Sequence, residues 1–265
     1  MYLIPPEFEE FISPDCNRAA FIQNYLKQRN INAPIMPING KNHIYVKFPL
    51  RQYNPIFKIK TIIAHYDRVP DSPGANDNSA AVFMMMQWAE KLSLMPGFHN
   101  IRMIFTDGEE LGSEGVDQQG AFALAALFKK LGITNDDIFV LDCMGRGNVP
   151  IICETSVPSK SSGAFLKNYL ALESRAEKII KNASKGKWYK MATNYSDNAA
   201  FLVHGIPACA ITMLPSEEIG PDIFPQTWKM LHTKEDNLQH LSPEAFEITG
   251  RILDGLAELK TIADS

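Results

Sequence analysis

Six side chains that could bind metals or carry protons are spread along the chain, most of them where a predicted strand or helix begins or ends. They are two histidines and four acids, in the order His65, Asp77, Glu109, Glu110, Asp142 and His232. Imidazole nitrogens and carboxylate oxygens without a thiolate form a donor set that suits zinc. Two histidines and three carboxylates could hold two metal ions about 3.5–4 Å apart, with one carboxylate shared between them. One member of the adjacent pair Glu109 and Glu110 would then remain as a general base.

Each acid also has a plainer interpretation when it is considered alone. Asp77 comes just before an apolar helical segment, where an aspartate often caps the helix N-terminus. Glu109 and Glu110 could lie in a solvated loop, and Asp142 could be a buried carboxylate held by hydrogen bonds. The occurrence of all the donors in one ordered set favours the metal site over these separate interpretations.

The elements that must position these residues alternate between strand-like and helical patterns. Helical spacing covers residues 7–29, 79–92, 121–131, 162–182, 196–203 and 242–259, and strand-like runs cover 43–48, 57–64, 101–106, 138–143, 149–153 and 208–213. The alternation predicts an α/β fold, a three-layer α/β/α sandwich with a mixed, mostly parallel central sheet. Ligands of such folds bind beyond the carboxyl ends of the strands, which is where His65 and Asp142 are expected.

The composition is typical of a globular protein, since 45% of the 265 residues are hydrophobic and 21% are charged. We expect one catalytic domain over residues 1–265, with residues 1–40 as a helical segment packed on it. A net charge of −4 without a basic run argues against nucleic acid and membrane surfaces as partners. No signal-peptide pattern and no Cys-x-x-Cys pair is present, so we expect a cytoplasmic protein with free thiols.

At this point the residues resemble a known family, the M28 zinc metallopeptidases, which include bacterial aminopeptidases and, by kinship, the animal glutaminyl cyclases. The matching segments are AHYDRVP (64–70), PGANDNSAA (73–81), IFTDGEELGSEG (104–115), VLDCMG (140–145), YSDNAAFLVHGIPA (195–208) and LHTKEDNL (231–238). The related M20 peptidases share the ligand order but carry a lid domain between the last two ligands. Here predicted strands and helices already fill the interval from Asp142 to His232, so the M28 arrangement is favoured.

The resemblance implies a role for each ligand. His65 and Asp142 would bind one zinc ion, Glu110 and His232 would bind the other, and Asp77 would bridge the two. Two zinc ions per chain are therefore expected.

The resemblance also implies roles for residues that bind no metal. Glu109 would be the general base, and Asp67 would orient the ring of His65. The peptide bond between Asp77 and Asn78 would be cis.

The sequence departs from the family pattern at two places. The common Ser-Asp-His of the cleft segment is Ser196-Asp197-Asn198 here, which predicts altered support or specificity of the site. The loop after Gly115 reads Val-Asp-Gln-Gln-Gly-Ala, whereas many relatives have a small Gly-Ser before the next helix, so the loop suggests a subgroup.

The leading hypothesis is an aminopeptidase that acts as a monomer on peptides with a free N-terminus. Its substrate pocket would include the loop 214–226 and nearby apolar residues, namely Ile219, Ile223, Phe224 and Trp228. The alternatives are a single-zinc glutaminyl cyclase and a peptidase-like domain that binds a partner without catalysis. The chain has only three tryptophans, which argues against the cyclase. It keeps every expected ligand, which argues against the binding domain.

Overall fold

A central β-sheet organises the protein, whose computed structural model describes residues 4–220 and 223–263. Within that part of the chain the sheet has eight strands: β1 (Ile35–Ile38), β2 (Lys41–Val46), β3 (Lys60–His65), β4 (Ile101–Thr106), β5 (Asp137–Leu141), β6 (Val149–Glu154), β7 (Tyr189–Ala192) and β8 (Ala208–Leu214). Their order across the sheet is β1-β2-β4-β3-β5-β8-β6-β7. The four pairings β3–β4, β3–β5, β5–β8 and β6–β7 are parallel, and the other three are antiparallel. The predicted mixed, mostly parallel sheet is confirmed.

Helices pack on both faces of this sheet. They are α1 (Glu7–Ile12), α2 (Arg18–Gln28), α3 (Ala80–Leu94), α4 (Gly120–Lys130), α5 (Gly163–Ala183), α6 (Asn198–Val203), α7 (Gln226–Met230) and α8 (Pro243–Glu258). The larger core lies under α1, α2, α3, α5 and α8, and a second core lies under α4 and α6. The chain thus forms the three layers that its alternating pattern predicts.

Neighbouring strand residues divide between the two cores because side chains alternate across a strand. In β3, Ile62 joins the larger core and Ile63 the second one. In β5, Phe139 and Val140 divide in the same way. The central strands are therefore buried on both faces, and the polar residues at their carboxyl ends stand at one edge of an apolar scaffold.

The structure corrects the sequence-based element boundaries in several places. The single helix expected over 7–29 is two helices, because Ser13-Pro14-Asp15 interrupts it and the Asn17 side chain caps a new start at α2. The strand expected over 57–64 begins three residues later, at Lys60. Strands β1 and β7 and the short helix α7 were not predicted from the sequence.

The four cysteines are free thiols, as expected from the sequence. Cys143, Cys153 and Cys209 are buried thiols and Cys16 is half-buried, and all four are free. Across the described residues, no helix combines the length and the apolar character that crossing a membrane requires.

Candidate metal centre

The carboxyl ends of three adjacent parallel strands bring the predicted site residues together. His65 ends β3, Glu109 and Glu110 follow β4, and Asp142 follows β5 directly. Asp77 lies in the turn before α3, and His232 follows α7. The order of the strands places β3 between β4 and β5, so loops from both sides meet over its end.

Two groups of three side chains are close enough for each to hold one metal ion. The first is His65, Asp77 and Asp142, and the second is Asp77, Glu110 and His232. Within each group the donor atoms all lie within 4.8 Å of one another. These are the five residues that the sequence set apart as ligands, in the same two groups.

In the first group His65 and Asp77 are buried and Asp142 is partly buried. His65 Nε2 lies 3.1 Å from Asp77 Oδ1 and 3.5 Å from Asp142 Oδ1. The His65 side chain is 0% exposed. Its contacts with the carboxylates of Asp142, Asp67 and Asp77 outweigh the effect of burial and raise the pKa of this imidazole. The same carboxylates would attract a metal cation in place of that proton.

The second group opens to solvent. His232 Nε2 lies 3.0 Å from Glu110 Oε2 and 3.2 Å from Asp77 Oδ2. Contacts with Asp77 and Glu110 raise the pKa of His232 to about 10, against the opposing effect of burial. The His232 side chain is 54% exposed, so a substrate could approach from this side.

Asp77 belongs to both groups and uses a different oxygen in each. Oδ1 faces His65 and Oδ2 faces His232. Burial alone would raise the pKa of Asp77, but the two imidazoles hold it below its usual value. Asp77 is not the cap of α3, which begins three residues later, so the plainer interpretation of this residue is wrong. The peptide bond from Asp77 to Asn78 is cis, as the resemblance implied.

Several hydrogen bonds fix the backbone around Asp77. The carboxylate of Asp236 accepts from the backbone N–H of Asn76 at 2.7 Å and from that of Asp77 at 3.0 Å. On the other side, the Asn78 amide donates to the Leu141 carbonyl and accepts from the N–H of Cys143. The turn is therefore tied both to the loop after His232 and to the end of β5.

Asp67 holds the two glutamates as well as facing the histidine. Its Oδ1 accepts from the N–H of Glu109 and its Oδ2 from the N–H of Glu110, both at 3.1 Å. Oδ1 also lies 3.5 Å from His65 Nδ1. Because one carboxylate serves all three contacts, it sets the loop after β4 relative to the end of β3.

Glu109 belongs to neither ligand group and lies among negatively charged side chains. Burial raises the pKa of Glu109 well above its usual value, and the charges of Asp142, Asp197 and Asp77 add to the effect although His65 opposes it. A carboxylate with this elevated pKa accepts a proton more readily than one in water does.

The donors fit divalent zinc. Neither ring nitrogen of His65, nor Asp142 Oδ1, makes a hydrogen bond of good geometry to any described residue, although all three are buried. Buried polar atoms without partners are rare unless a ligand satisfies them, and nitrogen with carboxylate oxygen is a common zinc donor set. Each group supplies three such donors, which leaves room for water or substrate.

The model of peptidase family M28 matches residues 51–257. The chain belongs to this family. Aminopeptidase YwaD of Bacillus subtilis, a curated relative, is 26% identical over 81% of this chain and 43% of its own length. The chain spans less than half the length of the curated relatives it matches.

Solved structures share the fold of this M28 chain. The LapA aminopeptidase of Legionella pneumophila superimposes with a TM-score of 0.69 at 17% identity, over 94% of this chain and 69% of that one. The glutaminyl cyclase of Porphyromonas gingivalis superimposes with a TM-score of 0.68 at 16% identity, over 95% of both chains. At these identities the likeness shows the fold.

Some polar residues at this M28 site were not assigned roles from the sequence. Arg18, at the start of α2, is buried and donates to the carbonyls of Tyr66 and Pro73 and to the hydroxyl of Ser79. It thereby ties the N-terminal segment, which precedes the family match, to the loops that carry Asp67 and Asp77. Asp236 lies within the matched segment 231–238, so that segment was the one available signal for its role.

A small cavity of about 110 Å³ adjoins the ligands. Its lining combines acids of the site with aromatic, apolar and small polar side chains, among them Glu109, Asp142, Cys153, Tyr195, Thr212, Trp228 and Leu231. A second cavity of about 280 Å³ lies beside Glu110, Gly112, Ser113 and His232. Tyr195 borders both cavities and donates its hydroxyl to the Gly112 carbonyl at 2.6 Å.

The loop expected to form the pocket contributes only in part. Trp228 lines the smaller cavity, and the ring of Phe224 packs against it at a centroid distance of 5.8 Å. Ile219 instead packs on the core with Val149 and Leu214. Residues 221 and 222 of the expected 214–226 loop lie outside the described part of the chain.

Proposed function

We propose that this chain is a two-zinc aminopeptidase that removes N-terminal residues from peptides. The observation that carries the proposal is the carboxylate of Asp77, which faces His65 through one oxygen and His232 through the other. His65, Asp77 and Asp142 would hold one zinc ion, and Asp77, Glu110 and His232 the second. A shared carboxylate is the arrangement that two-metal hydrolases use.

The chemistry would combine the two metal ions with Glu109. Zinc held by these residues would lower the pKa of a bound water and would polarise the carbonyl of the scissile peptide bond. Glu109 would take a proton from that water as the oxygen bonds to the carbonyl carbon. The same carboxyl would then give the proton to the amine nitrogen as the carbon–nitrogen bond breaks, so that Glu109 ends the cycle ionised. Glu109 lines the cavity beside Asp77, Asp142 and His232 without belonging to either ligand group, which supports this role.

The cavities support restriction to the end of a peptide. The smaller one has a volume of about 110 Å³, enough for one side chain, and it adjoins Asp142 and Glu109. These acids would attract the free α-amine of the first residue. The second cavity, beside Glu110 and His232, would take the next residue of the peptide.

Glutaminyl cyclisation is the second candidate. In that reaction the α-amine of an N-terminal glutamine attacks its own side-chain carbonyl and ammonia leaves. The supporting observations are the small cavity with Trp228 in its wall, and the match over 95% of the length of both chains with the Porphyromonas gingivalis cyclase. Such an enzyme would need one zinc ion, so the shared use of Asp77 favours the aminopeptidase.

One experiment separates the candidates. Zinc-reconstituted protein is incubated with a panel of aminoacyl-p-nitroanilides and, separately, with a peptide that begins with glutamine. We expect release of p-nitroaniline from at least one member of the panel, and Glu109→Gln should lose roughly 10²- to 10⁴-fold in kcat while keeping its zinc. Loss of ammonia from the glutamine peptide, without any release of p-nitroaniline, would overturn the proposal in favour of the cyclase.

The remaining parts of the proposal concern setting and partners. Peptides with a free N-terminus are the proposed substrates. The monomeric state, the cytoplasmic location and the single-domain organisation remain predictions.

A further inference from the structure

The carboxamide of Gln119 contacts the proposed base. Gln119 Nε2 donates to Glu109 Oε1 at 2.9 Å. The Gln119 side chain is 2% exposed, and its carboxamide oxygen makes no hydrogen bond with the described residues. The donor end of a buried amide is therefore committed to one carboxylate oxygen.

The local backbone brings Gln119 to this position. Gln119 occupies the N-cap position of α4, yet its side chain makes no capping bond and reaches Glu109 instead. The next residue, Gly120, donates its N–H to the Gly108 carbonyl at 3.0 Å. A Cβ atom at position 120 would lie 1.8 Å from the Asp107 carbonyl oxygen, so only glycine permits this approach.

The backbone at Gly112 also approaches the Gln119 side chain closely. A Cβ atom at position 112 would lie 2.8 Å from Gln119 Nε2. Gly112 therefore leaves the space that the carboxamide fills. Two glycines, one on each side, allow the loop after β4 and the start of α4 to close around the bond between Gln119 and Glu109.

We propose that Gln119 is a positioning residue that holds the Glu109 carboxylate in the orientation needed for proton transfer. The inference rests on the proposed function, in which Glu109 is the general base. The hydrogen bond from Gln119 is made to Oε1 of Glu109. The other oxygen, Oε2, would then take the proton. A neutral amide orients the carboxylate without bringing the positive charge that would make it a weaker base.

The loop that carries Gln119 is the stretch after Gly115 for which the resemblance implied a departure from the family pattern. The departure therefore has a proposed function, which is to support Glu109 from the start of α4. Because Gln119 touches neither ligand group, its loss should change kcat and leave zinc binding intact. Loss of a residue that only fills space would not lower kcat while leaving zinc binding unchanged.

The test compares Gln119→Met with Gln118→Met. Methionine has nearly the length of glutamine but no N–H donor, and Gln118 is an exposed neighbour on the same loop. We expect Gln119→Met to lose roughly 10- to 100-fold in kcat, with KM and two bound zinc ions unchanged. Gln118→Met should equal the wild type. A second variant, Gln119→Leu, also lacks the donor and should lose at least as much.

Two further readouts keep the outcomes distinct. In the crystal structure of zinc-loaded Gln119→Met we expect the Glu109 carboxylate to have turned from its wild-type orientation. The inference is overturned if Gln119→Met and Gln119→Leu both keep kcat within twofold of the wild type. It is also overturned if their loss of kcat comes with released zinc or a raised KM. If Glu109→Gln hydrolyses substrate as fast as the wild type, the proposed function fails instead, and the inference fails with it.

Discussion

The substitution Asp67→Asn tests how one side chain supports the buried ligand group. Asp67 accepts from the N–H groups of Glu109 and Glu110 with different oxygens, and Oδ1 also faces His65 Nδ1. Asparagine has one oxygen and one NH₂ group, so one of these positions must receive a donor. If the NH₂ group faces Glu110, two N–H groups oppose each other and the loop after β4 shifts.

The opposite orientation affects the histidine directly. An NH₂ group facing His65 Nδ1 would favour the tautomer with its proton on Nε2, and Nε2 is the nitrogen that faces Asp77 and Asp142. One orientation therefore disturbs His65 of the first ligand group, and the other disturbs Glu110 of the second. Loss of such a supporting contact typically weakens metal binding 10- to 100-fold, which is about 1.4–2.7 kcal/mol.

The assay is zinc titration in competition with a chromogenic chelator, read as two separate affinities. We expect Asp67→Asn to bind one zinc ion roughly 10- to 100-fold more weakly than the wild type does. Asp71→Asn, an exposed neighbour on the same loop, is the matched control and should keep both affinities. Wild-type affinity for both ions in Asp67→Asn would refute the reasoning.

Three other predictions concern stability, each measured by urea unfolding of the metal-free protein. Arg18→Met should lower the free energy of unfolding by roughly 2–4 kcal/mol, because it leaves buried carbonyls without their donor; an unchanged midpoint would contradict this. Phe83→Ala should lower the free energy of unfolding by roughly 3–5 kcal/mol, because Phe83 is buried against four aromatic rings of α1 and α2. A decrease below about 1 kcal/mol would contradict this packing argument. Burial and the charge of Lys60 lower the pKa of His99 to about 4. Below pH 6.5 the unfolded chain therefore binds more protons than the folded one, so the free energy of unfolding falls by up to about 3 kcal/mol as the pH drops towards 4. His99→Asn, which keeps an acceptor for the Ile101 N–H, should show a shallower fall, and an equal slope would contradict the assignment.

The parts of the fold that sequence reasoning could predict are those with strong burial patterns. The central strands are buried on both faces, so their apolar runs are continuous and easily located. The missed strands are of another kind. Strand β7 is an edge strand with a mostly exposed side-chain pattern, and β1, the other edge strand, contains Pro37. In neither sequence, Ile-Met-Pro-Ile or Tyr-Lys-Met-Ala, do apolar and polar residues alternate throughout, and that alternation is what identifies a half-buried strand.

The N-terminal helices show a different limit. The apolar residues of 7–29 keep helical spacing across the break, because α1 and α2 both pack against α3 through Phe83. Periodicity reports the buried face and not the continuity of the backbone. Pro14 and the Asn17 cap were the local signals that marked two helices.

The residues proposed as metal ligands could be located from the sequence because their types and order are unusual at strand ends, whereas the residues that support them could not. Asp236 accepts from the backbone N–H of Asn76, and Gln119 donates to the Glu109 carboxylate, and no spacing rule describes either contact. Gln119 reaches Glu109 because Gly120 lies against the Asp107 carbonyl, a contact between residues distant in sequence. Such supports become visible only when the loops are placed in three dimensions.

The central claim is that Asp77 serves two zinc ions at once. The most direct test is the zinc content per chain of folded protein after reconstitution and desalting, measured by plasma mass spectrometry. The proposal predicts two equivalents for the wild type. One equivalent would contradict the shared role of Asp77 and favour the cyclase, and none in a folded sample would contradict the metal site itself.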